Sequence, residues 1–280
     1  MKLWILIPLV CLLVPTAALV GTRYLDHRAD ARAWDQLRTV GAGETGHYRP
    51  SLVLSLPEPA QRYFNFMIEP GTPLFTSVEL AMSGKLGLGS RETPRYDAMT
   101  ARQILSPPHG LLWRLSYGLV SGSDAALETE SWTRFWLAGL IPVVRVSNPD
   151  HHRAAFGRVV IEAAVWVPAS LLPSETVRWE PLNDSSARAI VSFGRFVQAV
   201  DITVDDEGAP RRVVIQRWSD GNSQKEFRLQ PFGGELSEFR RFEGYRLPTR
   251  IAVGNHFGTA EYFPFLRADI SEIRFPQAEG

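Results

Sequence analysis

The hydrophobic pattern divides the chain into three segments. Residues 3–20 are apolar almost without interruption, residues 22–40 are rich in charge, and after position 73 apolar and polar residues alternate. A long apolar run predicts a helix that is buried in lipid or recognised for export. Alternation with a period of two predicts strands with one buried face. We therefore expect a β-rich domain behind an N-terminal transmembrane or signal helix.

Two interpretations of residues 1–21 stay open. The run just suffices for a transmembrane anchor, since a spanning helix needs roughly 17–25 residues. Alternatively, residues 3–14 form the apolar core of a signal peptide, Pro15 breaks the helix, and the small residues Thr16 and Ala18 precede the cleavage site. The apolar residues that follow that site favour the uncleaved anchor.

The charges that flank the apolar run indicate on which side of the membrane the body of the protein lies. A lone lysine ahead of a short apolar core is typical of exported proteins, which places the body in the periplasm on a bacterial inner membrane, or free in the periplasm after cleavage. The positive-inside rule favours a cytoplasmic body instead, because four arginines follow the apolar run: Arg23, Arg28, Arg32 and Arg38.

Residues 22–56 are predicted to form a partly helical connector, and residues 57–280 a single antiparallel β domain. In the connector, one side of a helix collects four apolar residues: Leu25, Ala29, Ala33 and Leu37. In the domain, alternation is clear at Val78, Leu80 and Met82, and hairpins follow one another after residue 176. Strands at this spacing, with few helices, predict a mainly β fold with an antiparallel sheet curled into a sandwich or barrel.

One helix, at about residues 148–166, interrupts the strands. Ser147 or Asn148 is its predicted N-cap, and Asp150 is placed to complete a capping box with Ser147. Apolar residues at helical spacing predict that it packs on the sheet as a lid.

Composition and motifs exclude several classes of function. The 30 basic and 30 acidic residues balance, so a nucleic-acid partner is disfavoured. Gly41, Gly43 and Gly46 match a dinucleotide-binding pattern, but no predicted strand precedes them, and we expect no cofactor. We also expect no metal site, because the adjacent His151 and His152 would point about 100° apart on a helix.

The predicted lid helix carries the strongest candidates for ligand binding. Arg158 and Glu162 lie one helical turn apart, so they are predicted to pair, with Trp166 one turn further. They form either a charged pair at the mouth of a cavity or an ordinary surface pair beside a packing tryptophan. Trp113 and Trp136 are further candidates for the cavity wall. Residues 132–142 are predicted to be a buried strand or an edge that touches the bilayer.

Two stretches resemble an uncharacterised bacterial family of membrane-anchored proteins, domain-of-unknown-function family 6544. They are residues 75–84 (FTSVELAMSG) and 147–173, which include SNPD and EAAVWVP. The family has no assigned reaction, so the resemblance implies no catalytic residue.

A shorter stretch, residues 242–251 (FEGYRLPTRI), is similar to a hairpin of periplasmic lipoprotein carriers of the LolA/LolB kind. That similarity implies a half-barrel of antiparallel strands around an apolar cavity with a helical lid.

Three functions follow as hypotheses. The first is a non-catalytic binding or carrier domain for a lipid or another hydrophobic ligand. The second is an envelope hydrolase that uses Glu162 with Arg158 or a histidine, and the third is an assembly factor that binds another envelope protein. A deep apolar groove favours the first, converging buried carboxylates the second, and a filled core with an exposed apolar patch the third. The oligomeric state stays open.

Overall fold

The computed structural model describes the backbone of residues 3–41, 46–88 and 91–276, and side chains from residue 14 onward. It contains three α-helices: α1 (Leu3–Gly41), α2 (Glu58–Met67) and α3 (Pro149–Trp166). Short 3-10 turns lie at Pro50–Val53 and Pro168–Leu171. Most side chains of the predicted anchor or signal segment, and Gly43 of the glycine pattern, lie outside the described residues.

Thirteen strands make up the rest of the fold. They are β1 (Val78–Gly87), β2 (Tyr96–Ser106), β3 (Gly110–Tyr117), β4 (Val120–Ala126), β5 (Ser131–Leu137), β6 (Ile141–Val146), β7 (Val177–Asn183), β8 (Ser186–Phe193), β9 (Phe196–Val204), β10 (Pro210–Ser219), β11 (Arg228–Phe242), β12 (Tyr245–Asn255) and β13 (Phe263–Arg274).

All thirteen strands belong to one antiparallel sheet in the order β6-β5-β4-β3-β2-β1-β13-β12-β11-β10-β9-β8-β7. Two meanders, β1–β6 and β7–β13, are joined where β1 pairs with β13. Helix α3 contacts β4 and β5 as well as β9 and β10, which lie in opposite halves of this order. The sheet therefore curves around α3 without closing, and the prediction of a mainly β fold with a curved antiparallel sheet is confirmed.

Helix α3 lies on the concave face of the sheet. Asn148 is its N-cap, since its side-chain oxygen accepts a hydrogen bond from the backbone N–H of His151 at 2.8 Å. Ser147, with which Asp150 was predicted to form a capping box, is therefore not the N-cap, and the Asp150 carboxylate accepts from the indole N–H of Trp218. A Cβ at Gly157 would come within 3.2 Å of Ile215 on β10, so glycine lets the helix lie close to the strand.

Helix α1 runs continuously through Pro15 and packs on the outer face of the sheet. Its buried positions include Asp26, Asp30, Ala33 and Leu37. The predicted apolar side was wrong at Leu25, which is 61% exposed. A salt bridge explains the difference: Asp26 accepts hydrogen bonds from the Trp136 indole at 2.9 Å and from Arg145 at 2.6 Å.

None of the three α-helices, over the residues described, combines the length and the apolar character that crossing a bilayer requires.

Residues 132–142 include most of a strand with buried side chains and the start of an exposed edge strand. Trp132 and Trp136 on β5 are buried. The next strand, β6, is the edge of the sheet, and all of its side chains are exposed, including Ile141, Val143 and Val144.

Candidate functional site

A cavity of about 230 Å³ lies between α3 and the concave face of the sheet. Strand alternation and the helical repeat turn apolar side chains into this space from elements that are distant in sequence. Much of the wall is formed by Val165 and Trp166 of α3 with Val213, Phe232, Leu236 and Ile251 of the strands. The cavity is therefore mostly apolar.

A row of polar and aromatic side chains crosses β2, β3 and β4 at one part of the wall. Gln103 pairs with Trp113, and Trp113 pairs with Asp124, in the register of neighbouring strands. All three residues line the cavity, as do Arg158 and Glu162 from α3. The strand register thus brings a charged group of the sheet directly under the polar side of the helix.

Arg158 joins two carboxylates. Its Nε donates to Oε1 of Glu162 at 2.5 Å, and its Nη1 donates to Oδ2 of Asp124 at 2.6 Å. Gln103 hydrogen-bonds to both Arg158 and Glu162. The three charged side chains are only 13–19% exposed. This Asp124–Arg158–Glu162 triad is a buried ion network that ties the lid helix to the sheet.

The triad continues into a chain of hydrogen bonds toward β5. Thr133 donates to Oδ1 of Asp124 at 2.5 Å, and Nε2 of His151 lies 2.8 Å from the same hydroxyl. Because Thr133 gives its one proton to Asp124, Nε2 of His151 is the donor, and Nδ1 lies 2.7 Å from the Ser131 hydroxyl. His152 turns elsewhere and contacts the Leu127 carbonyl, as expected for adjacent residues on a helix.

The pKa of Asp124 is lowered. Burial by itself raises it, but the hydrogen bonds from His151 and Thr133 and the positive charge of Arg158 outweigh that effect. Asp124 is therefore an ionised carboxylate at neutral pH.

Arg217 on β10 is a further cation in the wall of the cavity. Its guanidinium lies over the Phe232 ring, 4.9 Å from the centroid, and Nε donates to the Ala154 carbonyl at 3.4 Å. Burial lowers its pKa. Within the described part of the chain, Arg217 forms no ion pair.

Comparison with protein-family models identifies the family. Residues 47–268 match the model of a family of unknown function, DUF6544. The chain belongs to this family. No curated protein matches the chain.

Two solved structures are among those similar to the chain. One is a LolA superfamily protein from Nitrosomonas europaea, with 10% sequence identity over 78% of this chain and 91% of that one, and a TM-score of 0.42. The other is a DUF1329 family protein from Desulfovibrio piger, with 11% identity over 73% of this chain and 87% of that one, and a TM-score of 0.39.

In this DUF6544 domain, the residues predicted to bind ligand do not all come together. Arg158, Glu162, Trp166 and Trp113 line the cavity beneath α3. Trp136 does not, because strand alternation places it on the outer face beneath α1, where its indole N–H donates to Asp26. The prediction of Trp136 as a cavity residue is corrected on this geometry.

Three residues of the site were not among the predicted candidates: Gln103, Asp124 and Arg217. Each is a single polar residue in a strand, and such residues usually face solvent. The strand period contained a signal, since Arg217 continues the spacing of the buried Val213 and Ile215.

Proposed function

We propose that this DUF6544 domain is a non-catalytic binding or carrier protein for one hydrophobic molecule, held in the cavity beneath α3. The observation that carries the proposal is the apolar cavity itself, enclosed by the lid helix and a curved sheet. Apolar pockets with a few placed polar groups are typical of small-molecule sites. A protein of this kind would suit the cell envelope, where such ligands are carried or sensed.

The volume limits the ligand. A dry cavity of about 150 Å³ admits benzene, and this cavity holds about 230 Å³. A single short acyl chain or a small ring system is compatible with that space. A lipid with several chains would require α3 to move away from the sheet.

The charged triad favours binding over hydrolysis. Each carboxylate oxygen of Asp124 and Glu162 already accepts a hydrogen bond. The lowered pKa of Asp124 makes it a weak proton acceptor, whereas a general base works best with a pKa near the operating pH. We therefore assign the triad to holding α3 in place over the cavity.

Native mass spectrometry with saturated primary alcohols of increasing length tests this proposal. We expect one alcohol molecule to bind per protein molecule. The affinity should rise with the length of the alkyl chain and then stop rising, because the cavity is finite. Non-saturating adducts, or affinity that is independent of chain length, would contradict the proposal.

We also propose that the apolar N-terminal segment tethers the domain to the periplasmic side of the inner membrane. Side chains 14–20 are almost all exposed, whereas Arg23 donates to Ser121 of the sheet. Residues 14–20 of α1 thus stand apart from the domain. A C-terminal alkaline phosphatase fusion is expected to be active and to sediment with membranes. An inactive fusion would indicate that the domain faces the cytoplasm. An active fusion in the soluble fraction would indicate that the N-terminal segment is cleaved.

A further inference from the structure

Resting on the proposed binding function, we propose that the ligand carries an anionic acceptor group, of which a carboxylate is the simplest, and that Arg217 binds this group inside the cavity.

The first argument is the state of Arg217. A guanidinium has five N–H donors, and the one polar contact described for Arg217 is a long bond from Nε to the Ala154 carbonyl. The group nevertheless lines the cavity, and burial lowers its pKa. Arg217 is half-buried, and its remaining N–H groups are available to donate to an acceptor that enters the cavity.

The second argument is the indole of Trp113. Its residue is 8% exposed and lines the same cavity, and its Nε1 is buried without a hydrogen-bond partner among the atoms described. This is a second unsatisfied donor, on a different strand from Arg217. Two free donors in one apolar cavity specify a ligand with acceptor oxygens.

The third argument is that the acceptors of the cavity are already occupied. Arg158, Gln103 and Thr133 supply donors to all four carboxylate oxygens of the triad. A cationic ligand would have to share carboxylate oxygens that already accept hydrogen bonds, whereas an anionic one would find the unused donors of Arg217. The triad has a net negative charge, but the guanidinium of Arg158 lies between its two carboxylates, and a ligand carboxylate would contact Arg217 directly.

The strand geometry then orients the ligand. Arg217 and Val213 lie four residues apart on the same face of β10, which corresponds to about 13 Å along the strand. With the carboxylate at Arg217, the apolar chain would extend toward Val213 and Leu236. The proposed ligand is therefore a single-chain amphiphilic acid.

Titration of the full-length protein with dodecanoate and dodecanol tests this assignment, because the two ligands share the same chain and differ in the head. We expect dodecanoate to bind about 10- to 100-fold more tightly than dodecanol, as expected for a hydrogen bond to a charged group. Arg217→Gln should remove that preference, so that the acid and the alcohol bind with equal affinity, and Arg217→Lys should keep part of it. Arg212→Gln, an exposed arginine of the same strand, is the matched control and should behave like wild type.

The outcomes separate this inference from the binding function. Equal affinity for the acid and the alcohol, or a preference that persists in Arg217→Gln, overturns the role of Arg217 and leaves the binding function in place. Absence of binding by either ligand refutes the binding function. Should Arg217→Gln fail to fold, dodecylammonium provides a test that needs only the wild-type protein, because its head group is a cation. We expect dodecylammonium to bind more weakly than dodecanol, and tighter binding would overturn the inference.

Discussion

Asp124 shows at the scale of one residue how the site is held. Burial would favour its protonated form, but Arg158, Thr133 and His151 surround it with positive charge and donors. Removing one partner from such a network leaves the remaining charges buried and unpaired, which is strongly destabilising. This cost is larger than the stability that the intact network adds over an apolar core of the same size.

Asp124→Asn is expected to lower the free energy of unfolding by about 3 kcal/mol at pH 7. The folded pKa of Asp124 lies below its unfolded value, which is about 3.9. The stability from the ionised group is therefore fully present above that unfolded pKa and is lost as pH falls toward the folded pKa. Urea unfolding of wild type and variant should converge as pH falls below about 4.

Asp206→Asn, at an exposed turn position, is the control and should change stability by less than about 0.5 kcal/mol. A difference between wild type and Asp124→Asn that stays constant from neutral to strongly acidic pH would contradict this account of Asp124.

The sequence predicted only part of the triad. Arg158 and Glu162 are four residues apart on one helix, so their pairing follows from local geometry. Asp124 lies 34 residues before Arg158, and its place under α3 depends on the register of β3, β4 and β5. A single sequence does not determine that register.

At the scale of elements, α1 shows how buried charge overrides apolar periodicity. The apolar spacing placed Leu25 on the docked side, whereas the helix instead buries Asp26 against Arg145 and Trp136. Burial by itself raises the pKa of Asp26, but the hydrogen bonds from Arg145 and Trp136 bring it below its ordinary value. A charged residue on a helix surface gives no sign, by sequence alone, that a basic partner will meet it more than a hundred residues later.

Asp26→Asn is expected to loosen the docking of α1 at a cost of about 1–3 kcal/mol, because the charged hydrogen bonds from Arg145 weaken. Limited proteolysis should then cut within residues 22–41 several times faster than in wild type. Asp35→Asn changes an exposed aspartate of the same helix and should leave the rate unchanged. Equal rates for both variants would show that Asp26 does not hold the helix.

The whole molecule combines features that the sequence could predict with others that it could not. Alternation and turn residues predicted strands. Strands that are consecutive in sequence are neighbours in the sheet except β6 and β7, which form its two edges, and the remaining pairing is between β1 and β13. The β1–β13 pairing joins residues nearly two hundred positions apart, and the cavity wall combines strands from both meanders. Such long-range placement depends on tertiary packing. The strand spacing therefore predicted a curled sheet, and the lid helix supplied some candidates, but Gln103, Asp124 and Arg217 were found only in the structure.

The central claim is that the cavity beneath α3 binds an apolar ligand, and filling the cavity tests it most directly. Val213 lines the cavity, and Val197 is exposed on the neighbouring strand β9, so Val213→Phe and Val197→Phe form a matched pair. Saturable binding of the neutral fluorophore N-phenyl-1-naphthylamine should be measured for wild type and both variants. We predict one site in wild type and in Val197→Phe, and at least about tenfold weaker binding in Val213→Phe, since the added ring occupies the space that the ligand needs. Undiminished binding by a folded Val213→Phe protein would contradict the account.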